Sequence, residues 1–229
     1  MGLIVLPATI SDIASAYDVY FAAFNGDLIF NILYPRGMDT ELRKEHTANT
    51  LQWWHGVTVQ HTFKCVDTDT GKVVGMAVWD VYWRARTDEE RKRPTTAWLE
   101  GAEKERAEAF LESMWKMREK LLGGRRHVYC SFLAVHPDHQ RRGIGKPLMD
   151  WGLDVGEKLR LPVYLESTLA GLPLYTKLGF EKLSQGAPLK AEVTRLASDV
   201  KAPLMVKMPS AARGLRFEEW VERGYPSLG

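Results

Sequence analysis

The sequence predicts an α/β fold: strands and amphipathic helices that succeed one another, interrupted midway by a helical insertion. Three observations carry this. Residues 127–182 read as strand, glycine-bearing turn, helix, strand, short helix and strand. Residues 61–67 and 72–83 are strand-like runs joined by Asp69-Thr70-Gly71, a hairpin signal. Residues 102–122 place Ala107, Phe110, Leu111, Met114, Met117 and Leu121 at helical spacing, with Gly123 as the stop.

In chain order, residues 3–6 form a short strand closed by Pro7, and Thr9 or Ser11 caps a helix. Ile13, Ala16, Tyr17, Tyr20, Phe21 and Phe24 form its apolar stripe, and Asn25-Gly26 ends it. Residues 28–37, with Pro35 and Gly37, read as an irregular loop, and 40–54 as a second helix with Trp53-Trp54 near its end. In the second hairpin strand Gly75 marks a bulge or a close approach of a neighbour. Residues 84–124 are the insertion, a charged turn-like stretch followed by the helix. Its functional reading is a lid or acceptor-recognition element, and the alternative is an outer elaboration.

Residues 128–135 are β-branched, aromatic and apolar, as in a central strand, and His136-Pro137-Asp138 stops them. Ile144, Leu148, Trp151, Gly152, Val155 and Leu159 then give a helix one buried face, and Pro162 ends it. Strand 163–166, short helix 169–178 stopped by Gly179, and a strand opened by Phe180 follow. Residues 185–200 read as a polar insertion with one helical turn, 203–208 as a last strand, and 217–221 as an amphipathic stretch that docks on the body. Nothing marks a linker or a repeat, so residues 1–229 are expected to be one domain.

Composition excludes several classes. The 229 residues are 45% hydrophobic and 26% charged, with 31 basic and 29 acidic residues mixed along the chain and a net charge of +2. That balance gives no support to nucleic-acid binding. No apolar run approaches the ~20 residues that span a bilayer, and Pro7 and Asp12 come too early for a signal peptide. The two cysteines, Cys65 and Cys130, fall in apparent strands and make no disulfide framework. A cytoplasmic protein is expected.

The chemistry concentrates in Gln140-Arg141-Arg142-Gly143-Ile144-Gly145-Lys146, which runs directly into a helix. Unpaired N–H groups and the positive end of the helix dipole favour a phosphate there, and glycines let it approach. Arg141, Arg142 and Lys146 add positive charge, so a polyanion such as a pyrophosphate is expected. A P-loop would need four residues between its glycines and Ser or Thr after the lysine, where Pro147 stands. A dinucleotide fingerprint would need a small residue in place of Leu148. His136 and His139 lack a third ligand, so no metal is expected.

These residues resemble the GNAT superfamily of acyl-CoA-dependent N-acyltransferases. Gln140-Arg141-Arg142-Gly143-Ile144-Gly145 matches its Gln/Arg-x-x-Gly-x-Gly/Ala pyrophosphate loop, and Leu133-Ala134-Val135-His136-Pro137 looks like the strand before it. About thirty residues on, Leu174-Tyr175-Thr176-Lys177-Leu178-Gly179-Phe180 resembles the second hallmark, Tyr-x-Lys-x-Gly-Phe. The resemblance spans roughly a quarter of the chain. It implies a mixed, mostly antiparallel central sheet flanked by helices, with the insertion between third and fourth strands.

It also implies acetyl-CoA as acyl donor. The loop with Lys146 and Lys177 would hold phosphates, and the backbone of Leu133, Ala134 and Val135 the pantetheine arm, with Ser167 touching it. Tyr175 would protonate the leaving sulfur, since a phenol of pKa ~10 is protonated at neutral pH and a thiol titrates near ~8.5. Transfer to an alkyl amine of pKa ~10.4 needs the neutral form, at a penalty of roughly 4–5 kcal/mol at pH 7. Glu166, at a strand's C-terminal end beside Ser167-Thr168, is the candidate base, with His127 and Tyr129 as weaker ones. By family analogy Phe30, Tyr34 and Trp54 would face the acceptor, the alternative being that they pack in the core. The insertion and these aromatics suggest an enclosed pocket and a small-molecule primary amine. Protein lysine or N-terminal acetylation, a non-catalytic acyl-CoA sensor or scaffold, and a binder of another nucleotide are the rivals. Nothing sets monomer against homodimer.

Overall fold

The computed structural model describes residues 2–54 and 58–228, Trp53 by its backbone only. Its elements fall into two compact units, Met1–Val81 with Cys130–Gly152, and Tyr82–Tyr129 with Leu153–Gly229. In chain order they are β1 (Leu3–Pro7), α1 (Ile13–Phe24), α2 (Leu28–Leu33), α3 (Thr40–Trp54), β2 (Gln60–Asp67), β3 (Val73–Tyr82), α4 (Gly101–Leu121), β4 (His127–Val135), α5 (Gly145–Leu159), β5 (Val163–Glu166), α6 (Leu172–Lys177), β6 (Glu181–Lys182), β7 (Ala187–Leu189), α7 (Ala191–Thr194), β8 (Val200–Ala202), β9 (Leu204–Lys207) and α8 (Phe217–Glu222). Seven strands hydrogen-bond in the order β1-β2-β3-β4-β5-β9-β6, and β7 pairs with β8 alone. The β4–β5 pair is parallel, whereas β1–β2, β2–β3, β5–β9 and β6–β9 are antiparallel. This is the expected mixed, mostly antiparallel sheet.

In the first unit the Asp69-Thr70-Gly71 turn joins β2 to β3, and the register shifts between Cys65 and Val66. Gly75 sits opposite Cys65, and a Cβ there would lie 2.7 Å from Ile144 and 3.0 Å from Leu148. Gly75 therefore marks both a bulge and a close approach, and it lets α5 settle on the sheet. Gly152 does the same for the fully buried Trp79, whose ring would lie 2.4 Å from an added Cβ.

Tyr17, Tyr20, Phe21, Phe30, Tyr34 and His46 form one aromatic cluster with ring centroids 4.7–6.3 Å apart. Phe30 and Tyr34 are buried in it. The family-based expectation that they face an acceptor gives way to core packing. Residues 28–33, expected as loop, are helical because the Asp27 carboxylate accepts the Ile29 N–H at 2.9 Å and caps a short helix. Before α1, Asp12 accepts both the N–H and the hydroxyl of Thr9, at 2.8 and 2.7 Å; Thr9 opens the 3₁₀ turn Ile10–Asp12, and Asp12 itself, rather than Thr9 or Ser11, stands at the N-cap of α1.

In the second unit α4 anchors the later insertion. Arg106 Nε donates to the Val193 carbonyl at 2.6 Å, Lys120 to Gln185 at 2.7 Å, and Ser113 to the Pro188 carbonyl. Residues 185–200, expected to hold one helical turn, have that turn in α7, and a two-stranded ladder pairs Ala187–Leu189 with Val200–Ala202 around it. The two insertions thus pack on each other. Tyr225 donates to the Leu121 carbonyl at 3.1 Å, under the Arg125 guanidinium, which ties down the chain after α8.

Candidate active site

The end of β4 and the start of α5 build the anion cradle from backbone. His136 N–H donates to Val74 O at 3.0 Å, residues Pro137–His139 make a 3₁₀ turn, and α5 begins at Gly145. Between them Arg141 and Gly143 take left-handed backbone, φ 60° and 81°, which turns successive N–H groups toward one side. From Arg141 through Lys146, no backbone N–H has an acceptor among the described residues. A Cβ on Gly143 would meet nothing within 4 Å, while Ile144 beneath it is buried. Open space above a row of unmatched donors at a helix N-terminus is what a phosphate fills.

The loop's cations are unequal. Arg142 donates to Asp67 at 2.8 Å and also meets His139. Its guanidinium holds the Asp67 carboxyl below the usual carboxylate range. Lys146 is bonded to both oxygens of Asp150 at 2.9 Å. Arg141 is exposed and has no ion pair or hydrogen bond among the described residues. The loop arginine left over for a ligand is thus Arg141, and Arg142 braces the turn. Gln140 caps the Val135 carbonyl at 3.4 Å.

Along β4, pairing with β5 covers only Val128↔Val163 and Tyr129↔Tyr164. Beyond it Ser131, Phe132 and Leu133 are half-buried, in a strand that occupies the middle of the sheet order. Ala134 is buried and Val135 is half-buried. Among the described residues, the β4–β5 register does not extend to Ser131 through Val135.

In the second unit, β5 leads through Ser167 into α6. A Cβ on Gly171 would lie 2.8 Å from the Tyr175 ring and 3.1 Å from Ser167 Oγ, so this glycine lets the two side chains close around it. Tyr175 is buried against Phe180. Gly179 (φ 85°) ends α6, with Phe180 N–H returning to Tyr175 O at 3.0 Å. Ser167 Oγ donates to Thr168 O at 2.7 Å, and Lys177 is exposed. Glu166 accepts from Tyr164 OH at 3.0 Å and faces Arg118 Nε at 3.5 Å. Burial pushes the Tyr164 hydroxyl well above its ordinary range, so it remains a donor. The Arg118 guanidinium lies 4.1 Å from the centre of the Tyr129 ring.

A profile of the acetyltransferase (GNAT) family matches residues 27–180. The chain belongs to the GNAT family. It is an acyltransferase, and a relative from Ajellomyces capsulatus, "Probable acyltransferase SID5", is 57% identical over 143 residues, 62% of this chain and 99% of that protein. Among solved structures, the histone acetyltransferase HPA2 and related acetyltransferase from Corynebacterium glutamicum superposes with a TM-score of 0.58 at 20% identity, covering 91% of this chain and 97% of that one. YncA, a putative acetyltransferase from Salmonella typhimurium solved with its cofactor acetyl-CoA, gives 0.51 at 18% identity, over 91% and 94%. At such identities these two establish the fold.

Within this GNAT chain the first unit groups Leu133, Ala134, Val135, Gln140, Arg141, Arg142, Gly143, Ile144, Gly145 and Lys146 around the end of β4, and the second groups Glu166, Ser167, Tyr175 and Lys177 around β5 and α6. Of the weaker base candidates, His127 is fully buried and held neutral, its pKa brought down to about 3 chiefly by burial, with Nδ1 2.8 Å from Arg125 O. Tyr129 is the platform under Arg118. Trp54 lines a cavity of about 370 Å³ with His61, Phe63 and Trp151.

Two polar groups were not read as site candidates from the sequence. Arg118 stands four residues after Met114 and three before Leu121, both buried, so it is a charge on an apolar stripe. Asp80 ends the otherwise apolar face of Val74, Met76 and Val78, and accepts from Ser131 Oγ at 2.7 Å and Gln60 at 3.3 Å. A lone charge on a buried face was the signal in each case.

Proposed function

We propose that the protein transfers an acetyl group from acetyl-CoA to the primary amine of a small molecule by direct attack on the thioester. One observation supports it above the others: the run of N–H groups from Arg141 to Lys146 without acceptors among the described residues, over an open Gly143. Acetyl-CoA supplies an activated acyl carbon and a thiolate leaving group. The loop backbone and Arg141 hold the pyrophosphate, with Lys146 and Lys177 toward the phosphates. The backbone of Leu133, Ala134 and Val135 aligns the pantetheine arm, with Ser167 beside it. Glu166 takes the proton that the amine must lose, and Tyr175 OH gives a proton to the departing sulfur.

Cys65 and Cys130 are buried thiols, which suits a reducing compartment, and among the described residues no helix is long and apolar enough to cross a membrane. We place the protein in the cytoplasm.

The test is thermal unfolding with acetyl-CoA, CoA, ATP and NAD in turn. A ligand at a hundred times its dissociation constant adds about 2.7 kcal/mol. Stabilisation by acetyl-CoA and CoA alone is expected, and no response to either at saturation overturns the reading. Acetyl-CoA-dependent thiol release with a panel of small amines then separates an enzyme from an acyl-CoA sensor.

A further inference from the structure

The arginines of the first insertion differ in how they are paired. Arg84 makes a bidentate contact with Glu90, both distances 2.9 Å. Arg86 is bonded to Glu119, Gly123 O and Glu90 O. Arg91 bonds Glu119 at 2.9 Å, Arg93 faces Glu112 at 3.3 Å, and Arg106 reaches Val193 O. Arg118 alone of these six makes no hydrogen bond or ion contact shorter than 3.5 Å among the described residues.

It is nonetheless mostly buried, its side chain 16% exposed. Its nearest carboxylate oxygen, Glu166 Oε1, is 3.5 Å from Nε, and Nε is a buried donor without a hydrogen-bond partner. Neither Nη atom bonds a described residue and neither is a fully buried orphan, so the Nη edge is the part of the guanidinium that solvent reaches. The guanidinium carbon lies over the Tyr129 ring, 4.1 Å from its centre, which holds the group in place. The guanidinium thus has one buried orphan donor at Nε and an Nη pair without a protein acceptor among the described residues, and a planar anion at the Nη edge would complete it.

We propose that Arg118 binds a carboxylate of the acyl acceptor through its Nη edge, so that the acceptor is an amine that also carries a carboxylate, such as an amino acid. This rests on the acyltransferase mechanism proposed above. A monoanion matches one guanidinium, whereas a phosphate dianion would be opposed by the Glu166 charge beside it. Glu166 keeps the Nε side and remains available to the amine. Two planar N–H groups match the two oxygens of a carboxylate, which fixes orientation as well as charge. On this reading the insertion helix is an acceptor-recognition element, because it delivers Arg118 to the β5 end of the second unit.

The experiment uses the full chain. Acetyl-CoA is first titrated against thermal unfolding, on the wild type and on Arg118→Gln. With CoA bound, N-acetylglycine and N-acetyl-β-alanine are then compared with their uncharged amides. The acids should raise the midpoint and the amides should not, and Arg118→Gln should abolish that difference while keeping the acetyl-CoA response. In turnover, kcat/KM for an amino acid should fall at least about tenfold in Arg118→Gln, with its amide changed less than about twofold. Arg118→Gln/Glu166→Gln, which removes the pair together, serves where the single variant folds poorly, and it too should lose the preference for acids. Equal response to acids and amides in the wild type, or an acid preference that survives Arg118→Gln, overturns the proposal while the acyltransferase reading stands. Absence of any acetyl-CoA response overturns both.

Discussion

The loop after β4 and the cluster beyond β5 are two different kinds of site. The loop presents its backbone: six consecutive residues, two of them glycines, leave N–H groups without acceptors among the described residues and leave space at Gly143. The cluster is made of side chains drawn from distant segments, with Arg118 from α4, Tyr129 from β4, and Tyr164 and Glu166 from β5. A backbone site depends on local conformation and tolerates side-chain change except where bulk enters. A side-chain site fails one functional group at a time. Binding and chemistry therefore separate experimentally.

The sharpest separation comes from Tyr175→Phe and Gly143→Trp compared side by side. Tyr175→Phe removes a proton donor and leaves the loop intact, so turnover should fall by about 100-fold or more while acetyl-CoA affinity changes little. Stopped thiol release and calorimetric binding check this, and an unaltered turnover would remove Tyr175 from the mechanism. Gly143→Trp should do the opposite at its own step. It places bulk where the anion sits, so the acetyl-CoA stabilisation of about 2.7 kcal/mol should vanish. Nothing lies within 4 Å of the added Cβ, so the free protein should lose only the left-handed backbone cost, about 1–2 kcal/mol. Retained acetyl-CoA binding in this variant would break the comparison.

Gly152→Val probes the scaffold common to neither chemistry. The new side chain collides with Trp79, 2.4 Å away at Cβ, and overpacking should cost about 1–3 kcal/mol in denaturant unfolding. The smallest effect concerns Asp12. Burial raises its pKa, but hydrogen bonds from Lys64 and Thr9 outweigh this and bring it down from 3.8 to about 2. A depressed carboxylate stabilises the fold above its unfolded pKa and loses that contribution as pH falls through the folded one. Asp12→Asn should thus cost about 1 kcal/mol at neutral pH, with the gap to wild type closing between pH 4 and pH 2. Paired denaturation at pH 7 and pH 2.5 measures it.

Legibility followed the same division. The hairpin turn, the apolar period of α4 and α5 and the glycine loop were readable because each signal lies within a short window. Helix α2 was not, since Gly26, Pro35 and Gly37 around a six-residue, mostly apolar run look like a loop, and its stability comes from the Asp27 cap and the burial of Phe30, Ile32 and Leu33. The β7–β8 ladder was missed because strands of three residues, one with Pro188 inside, have no period to detect.

By itself the sequence determined the family, the glycine loop before α5 and the longer strands and helices, because local backbone chemistry and two motifs suffice for these. Only the tertiary structure decided which charges are spent and which are spare. Asp67 engages Arg142, and Phe30 and Tyr34 belong to the core. Arg118 lies over Tyr129 beside Glu166 with its Nη edge unused. The physical reason is that a charge's availability is set by partners and burial, which residues far apart in the chain supply only after it folds.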